Sequence, residues 1–574
     1  MNDIERREIL ARLHDRFKRL YGETGKLCIR RLKLILGIYE DEIPIIVPPQ
    51  RWTSADNVLI TYGDSVRTTD EKPLATLNRF LNDHLGDVID TVHILPFFPW
   101  SSDDGFSVID YRKVDQNLGK WSDVDAIGSN FRLMFDLVLN HCSKRSDWFH
   151  DYLTGIAPER YYFIEMAPGT DLSQVTRPRT SPLLTKVTTR SGERWVWTTF
   201  SDDQVDLNFA NPDVLLEFLD ILLFYVAHGA HIIRLDAIAY LWKQIGTTCV
   251  HLPQTHEVVK LMRDLLNIAA PQSLLLTETN VPHEQNISYF GYGDEAHIVY
   301  NFSLPPLLLH ALTTGDGTTL TQWAMTQPEP AAGCTFLNFT ASHDGIGVRP
   351  LEGILPPEQI AALADHVRAR GGHVSEKSNP DGTSSPYELN ITYFSALANG
   401  DEDDEHHVKR FLCSQAIALG LRGIPAIYIH SLTATENDHE NVDRRGYPRA
   451  INRHQWDDQR LRDRLADSHS ATAKVFDEYR RMIRVRRAQP AFSPDASQQV
   501  FDVGRRAFLF ERTSPEGRQS IVCVSNLTGK RITIDPPANL RLGPLEGATD
   551  LLTGRKIESD KLNLSPYQTR WLTR

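Results

Sequence analysis

LMFDLVLN (133–140) and HIIRLDAI (231–238) are short, nearly continuous apolar runs that end on polar or charged groups. Bounded by turn residues, such runs read as strands buried on both faces. Six more share the pattern: NVLITYGD (57–64), TVHILPFF (91–98), LLLTE (274–278), IVYNF (298–302), FLNFTA (336–341) and PAIYIH (425–430). Between them Pro73 to Leu85, Asp213 to His228 and Thr255 to Ile268 repeat apolar residues at three and four, the period of an amphipathic helix. Eight strand–helix units predict an α/β fold, a closed (β/α)8 TIM barrel, with an open doubly wound sheet as the alternative. The clustering of polar residues at the C-terminal ends of the strands favours the barrel, whose active sites lie there.

Working outward, the chain between Asn140 and His231 is far longer than one helix requires. A subdomain inserted after strand 3, at about 142–210, is expected there. A Gly-, Pro- and Ser-rich connection before the eighth strand predicts a long active-site loop at about 345–405. Residues 1–56 read as an N-terminal helical extension and 57–490 as the barrel. VFDVGRRAFLFER, SIVCVSNL and KRITID alternate in the manner of antiparallel strands, so 491–574 reads as a C-terminal β domain.

Composition narrows the function. Of 574 residues 41% are hydrophobic and 24% charged, with a net charge of −12, which argues against a nucleic-acid binder. The N-terminal segment lacks a signal peptide's apolar core, and the greasy stretch Val214 to Ile233 is broken by Glu217 and Asp220, so no membrane span is expected. The six cysteines are scattered with no CxxC pair, which suggests neither a disulfide framework nor a zinc site. A cytoplasmic location is the expectation.

The strand ends present Asp136, Asn140 and His141, then Arg234 and Asp236, then Glu278, then His343 and Asp344. Singly, each is explained by a helix cap or a salt bridge. On one barrel rim together they are a costly concentration of charge unless a mechanism uses it. Two carboxyls with an arginine beside one of them suit glycosyl transfer. Arg234 shares a side-chain direction with Asp236 and would keep it ionised as a nucleophile, while a more apolar surround would keep Glu278 protonated as an acid. A separation of about 5 to 5.5 Å between them implies retention of configuration, and about 6.5 to 9.5 Å inversion.

DLVLNH (136–141), IRLDAIAY (233–240), the TET around Glu278 and ASHD (341–344) resemble, in order and spacing, the four conserved regions of the α-amylase superfamily. LPFFPWSSDDGFSVIDY, FSLPPLLLHAL, SHDGIGVRPLEGILP and RGYPRAINRH resemble its sucrose phosphorylase subfamily. SSDDGFSVIDY, DLSQVTRPR, WTTFSDDQ and NPDGTSSPYELN are similar to the branch that holds glucosylglycerate and sucrose 6-phosphate phosphorylases.

The resemblance implies Asp236 as nucleophile, Glu278 as acid/base and Asp344 as the third carboxylate. His141, His343, Arg234, Gln204, Phe106 and Phe200 would surround the glucosyl unit, with Asp103 and Arg449 as a pair at its far side. Arg179 and Tyr387 would alternate between acceptor and phosphate, and Arg177, Arg179, Arg349 and Lys377 are candidates for a cationic lip. Ser385 and Glu388 depart from the sucrose phosphorylase pattern and disfavour sucrose.

The implied activity is phosphorolysis of glucosylglycerate to α-glucose 1-phosphate. Phosphorylases of sucrose 6-phosphate, sucrose or glucosylglycerol, or a hydrolase or transglucosylase, are the alternatives. The resemblance implies inorganic phosphate as co-substrate, no metal or organic cofactor, small-molecule partners only, and a monomer or homodimer.

Overall fold

The computed structural model describes residues 3–378, 383–400 and 404–574. All eight apolar runs pair into a closed parallel barrel: β1 (Val58–Thr61), β2 (Thr91–Ile94), β3 (Arg132–Val138), β4 (Ala230–Asp236), β5 (Leu274–Thr277), β6 (Ile298–Tyr300), β7 (Thr335–Phe339) and β8 (Ile424–Tyr428). Each strand pairs with its neighbours in chain order, and β8 closes on β1 through Val58 opposite Ala426. The strands are shorter than the runs that announce them. Pro96 and Pro99 follow β2, and β8 passes directly into the helical turn Ile429–Leu432.

The amphipathic stretches form the outer ring. The helix Pro212–Ala227 begins where the Asn211 side chain accepts from the Asp213 N–H, with proline at its first position. The two acidic residues that break the apolar stretch in sequence face outward to Arg112, Glu217 Oε1 at 2.8 Å and Asp220 beside it. The N-terminal helices Asp3–Tyr21 and Gly25–Tyr39 are tied to this ring. Arg16 Nε meets Asp264 at 2.7 Å, Arg12 Nη2 meets the same carboxylate at 2.8 Å, and the Tyr21 hydroxyl donates to the Phe209 carbonyl at 2.8 Å.

After β3 the chain leaves the barrel for the helix Asp147–Thr154 and the hairpin Leu184–Thr189 with Gly192–Trp197, and strand His141–Ser143 pairs with Gln204–Asp206. The connection expected as a long loop is largely structured. It holds the helix Pro357–Arg368 and a three-stranded antiparallel sheet in which Ser384–Asn390 lies between Ile346–Gly347 and His373–Ser378. Leu363, Ala364 and Val367 give that helix a buried face, and the central strand is buried throughout its second half, Tyr387 to Asn390. Residues 379–382 and 401–403 of this connection lie outside the described residues.

The C-terminal part carries a five-stranded antiparallel sheet, Ser497–Phe501, Ala507–Thr513, Ser520–Asn526, Thr569–Thr573 and Thr549–Asp550 in spatial order. Among the described residues no helix is long and apolar enough to cross a membrane, and no group of three or more His, Cys, Asp or Glu is placed to hold a metal ion.

Candidate active site

Strand register builds the centre of the site. Thr277 of β5 lies opposite Leu235 of β4, so the next residues, Glu278 and Asp236, leave the barrel side by side. Arg234 faces Asp136 across the β3–β4 pair. Its Nη1 donates to Asp236 Oδ1 at 2.8 Å and to Asp136 Oδ1, and the other Asp136 oxygen meets His93 Nε2 at 2.6 Å. Burial pushes the Asp136 carboxyl up, but Arg234 and then His93 outweigh it and hold it at about 2. Ala237 takes a left-handed φ of 49°, and its N–H donates to Glu278 Oε2 at 3.1 Å.

Burial pushes Asp236 well above the usual carboxylate range against the pull of Arg234, and the charge of Glu278 adds to that push. Burial raises Glu278 too, again against Arg234, with Asp344 adding. Burial and like charge together disfavour ionising both carboxyls at once. The guanidinium at 2.8 Å sits on Asp236, whereas Glu278 accepts the neutral Ala237 amide, so the charge belongs on Asp236 and the proton on Glu278.

Asp344 completes the carboxylate set. Burial pushes it up, yet Arg449, at 2.7 Å, and Arg453 together hold it below its ordinary value. Burial, reinforced by Arg453 and Arg234, keeps His343 far below its usual pKa and therefore neutral. Its ring stacks on Phe106, centroids 4.6 Å apart and planes within 5°. His141, also neutral through burial, donates from Nε2 to the Phe106 carbonyl at 2.9 Å, and Gln204 Nε2 donates to the same carbonyl at 3.2 Å. Phe200 leans on His141 at 5.2 Å. Asp236, Glu278, Asp344, His343, Phe106, His141, Gln204 and Phe200, with Asp103, Arg179, Tyr240, Asn280, Tyr387, Glu388 and Arg449, line one cavity at the C-terminal mouth of the barrel.

The family description "Alpha amylase, catalytic domain" matches residues 83–331. Over 583 aligned residues, 99% of this chain and 99% of its relative, the sequence is 45% identical to the glucosylglycerate phosphorylase of Spirochaeta thermophila. It is 46% identical to that of Allomeiothermus silvanus over 96% of both chains. The chain belongs to the α-amylase family, on its glucosylglycerate phosphorylase branch. Among solved structures, the sucrose 6F-phosphate phosphorylase from Thermoanaerobacter thermosaccharolyticum superposes with a TM-score of 0.73 at 26% identity, covering 89% of this chain and 98% of that one.

In this glucosylglycerate phosphorylase relative, the residues singled out from the sequence divide into two groups. Asp236, Glu278, Asp344, Asp103, Phe106, His141, Phe200, Gln204, His343, Arg449, Arg179 and Tyr387 all line the cavity, and Arg234 lies directly beneath Asp236. Three of the four cations proposed for the lip do not themselves line the cavity. Lys377 pairs with Glu352 at 2.6 Å on the edge hairpin, and Arg177 donates to the carbonyls of Thr180 and Ser181. Arg349 stands beside Tyr240 and Tyr387, pulling on both phenols from outside the lining. Arg179 alone of the four lines the cavity, its guanidinium 5.5 Å from the Tyr387 ring centroid.

The partnership of Asp103 with Arg449 is also looser than the resemblance implies, at 3.9 Å. Arg449 is held instead by Glu388, in a bidentate pair of 2.9 and 2.6 Å, and by Asp344. Sequence reading noted Glu388 as a departure but missed this partner, which lies 61 residues away. It also missed Asn280 and the Gly347 that makes room for it: a Cβ on Gly347 would fall 2.6 Å from the Asn280 amide oxygen.

Two further networks hold the walls. Asp103 and Asp104 are consecutive left-handed residues, φ 52° and 47°, a strained pair for non-glycine residues. Asp104 anchors that turn through Arg453 Nη1 at 2.7 Å, Arg445 Nη1 at 2.5 Å and the Tyr447 hydroxyl. Gly105 follows because a Cβ there would lie 2.5 Å from the Pro96 carbonyl oxygen.

The second network ties the inserted subdomain to the barrel. The buried ammonium of Lys243 meets Asp206 Oδ2 at 2.5 Å, Asn140 Oδ1 at 2.7 Å and the Tyr240 carbonyl at 2.6 Å. Asp206 in turn accepts from Thr199 N at 2.7 Å, just before Phe200. Lys243→Met strands the buried Asp206 and is expected to destabilise the protein by roughly 3 to 5 kcal/mol. Denaturant unfolding checks this, and a loss below about 1 kcal/mol would show that the ion pair does not brace the subdomain.

Proposed function

We propose that the protein is a retaining glucoside phosphorylase that converts 2-O-α-D-glucosylglycerate and inorganic phosphate to α-D-glucose 1-phosphate and D-glycerate. The observation that carries the reading is near-full-length identity of 45% and 46% to two glucosylglycerate phosphorylases. The pocket supports it with a guanidinium bonded to Asp236 and a neutral amide bonded to Glu278 under one rim.

In the first step Asp236 attacks the anomeric carbon while Glu278 passes its proton to the departing glycerate oxygen. A β-glucosyl ester on Asp236 results. Phosphate then enters the vacated space, and Glu278, now a base, assists its attack on the same carbon, so two inversions give net retention. Asp344, neutral His343 and His141, Asp103 and Arg449 are assigned the glucosyl hydroxyls, and Arg234 favours the charged form of the nucleophile. The Phe106 ring gives an oxocarbenium-like transition state an aromatic face.

Arg179 is assigned the anion of each half-reaction in turn, the glycerate carboxylate and then phosphate. Arg179→Ala is expected to raise the KM for phosphate and for glucosylglycerate by about tenfold or more, with a smaller effect on kcat. Initial-rate kinetics with each substrate varied checks this, and unchanged KM values would remove Arg179 from the anion site. The reaction is tested by following glucose 1-phosphate release from glucosylglycerate and assigning the anomer by NMR during turnover. Release of the β-anomer would overturn the double displacement, and turnover of sucrose 6-phosphate in preference to glucosylglycerate would move the acceptor assignment.

A further inference from the structure

Arg179 reaches the cavity from a segment with almost no regular support. Among the described residues its guanidinium makes no hydrogen bond or ion pair, and it lies against the Tyr387 ring, 5.5 Å from the centroid. With its donors left open, its aim depends on where the backbone sets its Cα. Yet residues 177–182 make no backbone–backbone hydrogen bond, so neither helix nor strand fixes that position.

The segment is tied at its two ends. The Thr176 N–H donates to the Thr248 carbonyl at 3.0 Å, and the Ser181 hydroxyl donates to the Phe200 carbonyl at 3.0 Å. Just beyond, Leu183 packs with Trp197 and Cys249. Between these ties the bonds to the backbone come from Arg177, whose Nη2 donates to the carbonyls of Thr180, at 3.4 Å, and Ser181. A charged donor on a carbonyl makes a stronger bond than a neutral one, and among the described residues Arg177 forms no ion pair that would compete. Pro178, buried between them, fixes its own φ and keeps Arg177 extended. The Arg177 side chain thereby closes a loop of chain with Arg179 at its middle.

We propose that Arg177 is a positioning residue: it staples the turn 177–181 and so sets the Arg179 guanidinium on the cavity, without itself touching the anion. The inference rests on the assignment of Arg179 to the anion of each half-reaction. Releasing the staple lets the Arg179 backbone drift, which weakens the steps that bind an anion and spares the glucosyl chemistry of Asp236 and Glu278.

Initial-rate kinetics with phosphate varied tests this on wild type, Arg177→Met, Arg179→Ala and the double variant. Arg177→Met keeps the apolar stem and removes the donors. It is expected to raise the KM for phosphate about fivefold or more with kcat changed less than about twofold, and Arg177→Ala should do the same. In the Arg179→Ala background the same change is expected to move that KM less than about twofold, because the group being positioned is gone. Hydrolysis of α-glucosyl fluoride without phosphate, which needs no anionic acceptor, should stay within about twofold of wild type in Arg177→Met. An unchanged KM in Arg177→Met beside a raised one in Arg179→Ala would overturn the staple and leave Arg179 in place. Equal rises in both backgrounds would make Arg177 a direct contact of the anion, and fluoride hydrolysis falling in step with phosphorolysis would make it a support of the whole site. Either result overturns the proposal. An unchanged KM in Arg179→Ala would remove the assignment beneath it and the proposal together.

Discussion

Asp236→Asn is expected to lower kcat/KM for phosphorolysis by roughly 10⁴-fold or more, because it removes the atom that forms the covalent intermediate. The loss is not structural in origin. Asn keeps the shape beside Arg234, and that guanidinium still has Asp136 as an acceptor, so the fold and the melting temperature should change little. The check is twofold: steady-state rates, and mass spectrometry of protein quenched during turnover of an activated glucosyl donor. Wild type should carry a glucosyl adduct on the peptide containing Asp236, and the variant none. Turnover retained within about tenfold of wild type would mean that another group attacks the anomeric carbon.

Glu278→Gln is expected to cost about 10²- to 10⁴-fold on glucosylglycerate and far less on α-glucosyl fluoride, whose leaving group needs little protonation. The pH profile carries the same argument with a sign. Glu278 must be protonated to act as acid, and burial raises its pKa, so kcat/KM should hold as pH rises through the ordinary glutamate range and fall only above the raised value. The Gln variant should lose that alkaline limb with fluoride as donor. Equal losses on both donors, or an alkaline limb unchanged in the variant, would place the acid elsewhere.

The barrel was legible because parallel strands buried on both faces leave near-continuous apolar runs, and Asp236 and Glu278 stood out as charged groups where such runs end. Register then turns a chain separation of 42 residues, 278 less 236, into adjacency, through Thr277 opposite Leu235. What escaped has the opposite character. The clamp of Glu388 on Arg449 and the anchoring of Asp104 by Arg445 and Arg453 join segments whose meeting is decided by tertiary packing and leaves no period in the sequence. Lys377 shows the converse case. Its charge type suited an anion site, but Glu352 lay within reach on the neighbouring turn and took it. Arg179, by contrast, lies against the aromatic face of Tyr387 and keeps its guanidinium on the cavity.

The proposed role of Arg179 as the anion's partner follows from a balance of charge in the cavity. Asp103, Asp236, Glu278, Asp344 and Glu388 bring five carboxyls to a cavity whose lining cations are Arg179 and Arg449. Arg449 is already committed to Glu388 and Asp344, which leaves Arg179 as the cation able to receive an incoming anion. Phosphorolysis in place of hydrolysis follows if that cation raises phosphate occupancy beside the glucosyl ester enough to outrun water.

The most direct measurement is glucose 1-phosphate release by the purified protein from glucosylglycerate, sucrose 6-phosphate, sucrose and glucosylglycerol, each with and without inorganic phosphate. The account predicts phosphate-dependent glucose 1-phosphate from glucosylglycerate, with the other donors poor. Free glucose formed equally well without phosphate, or a clear preference for another donor, would contradict it.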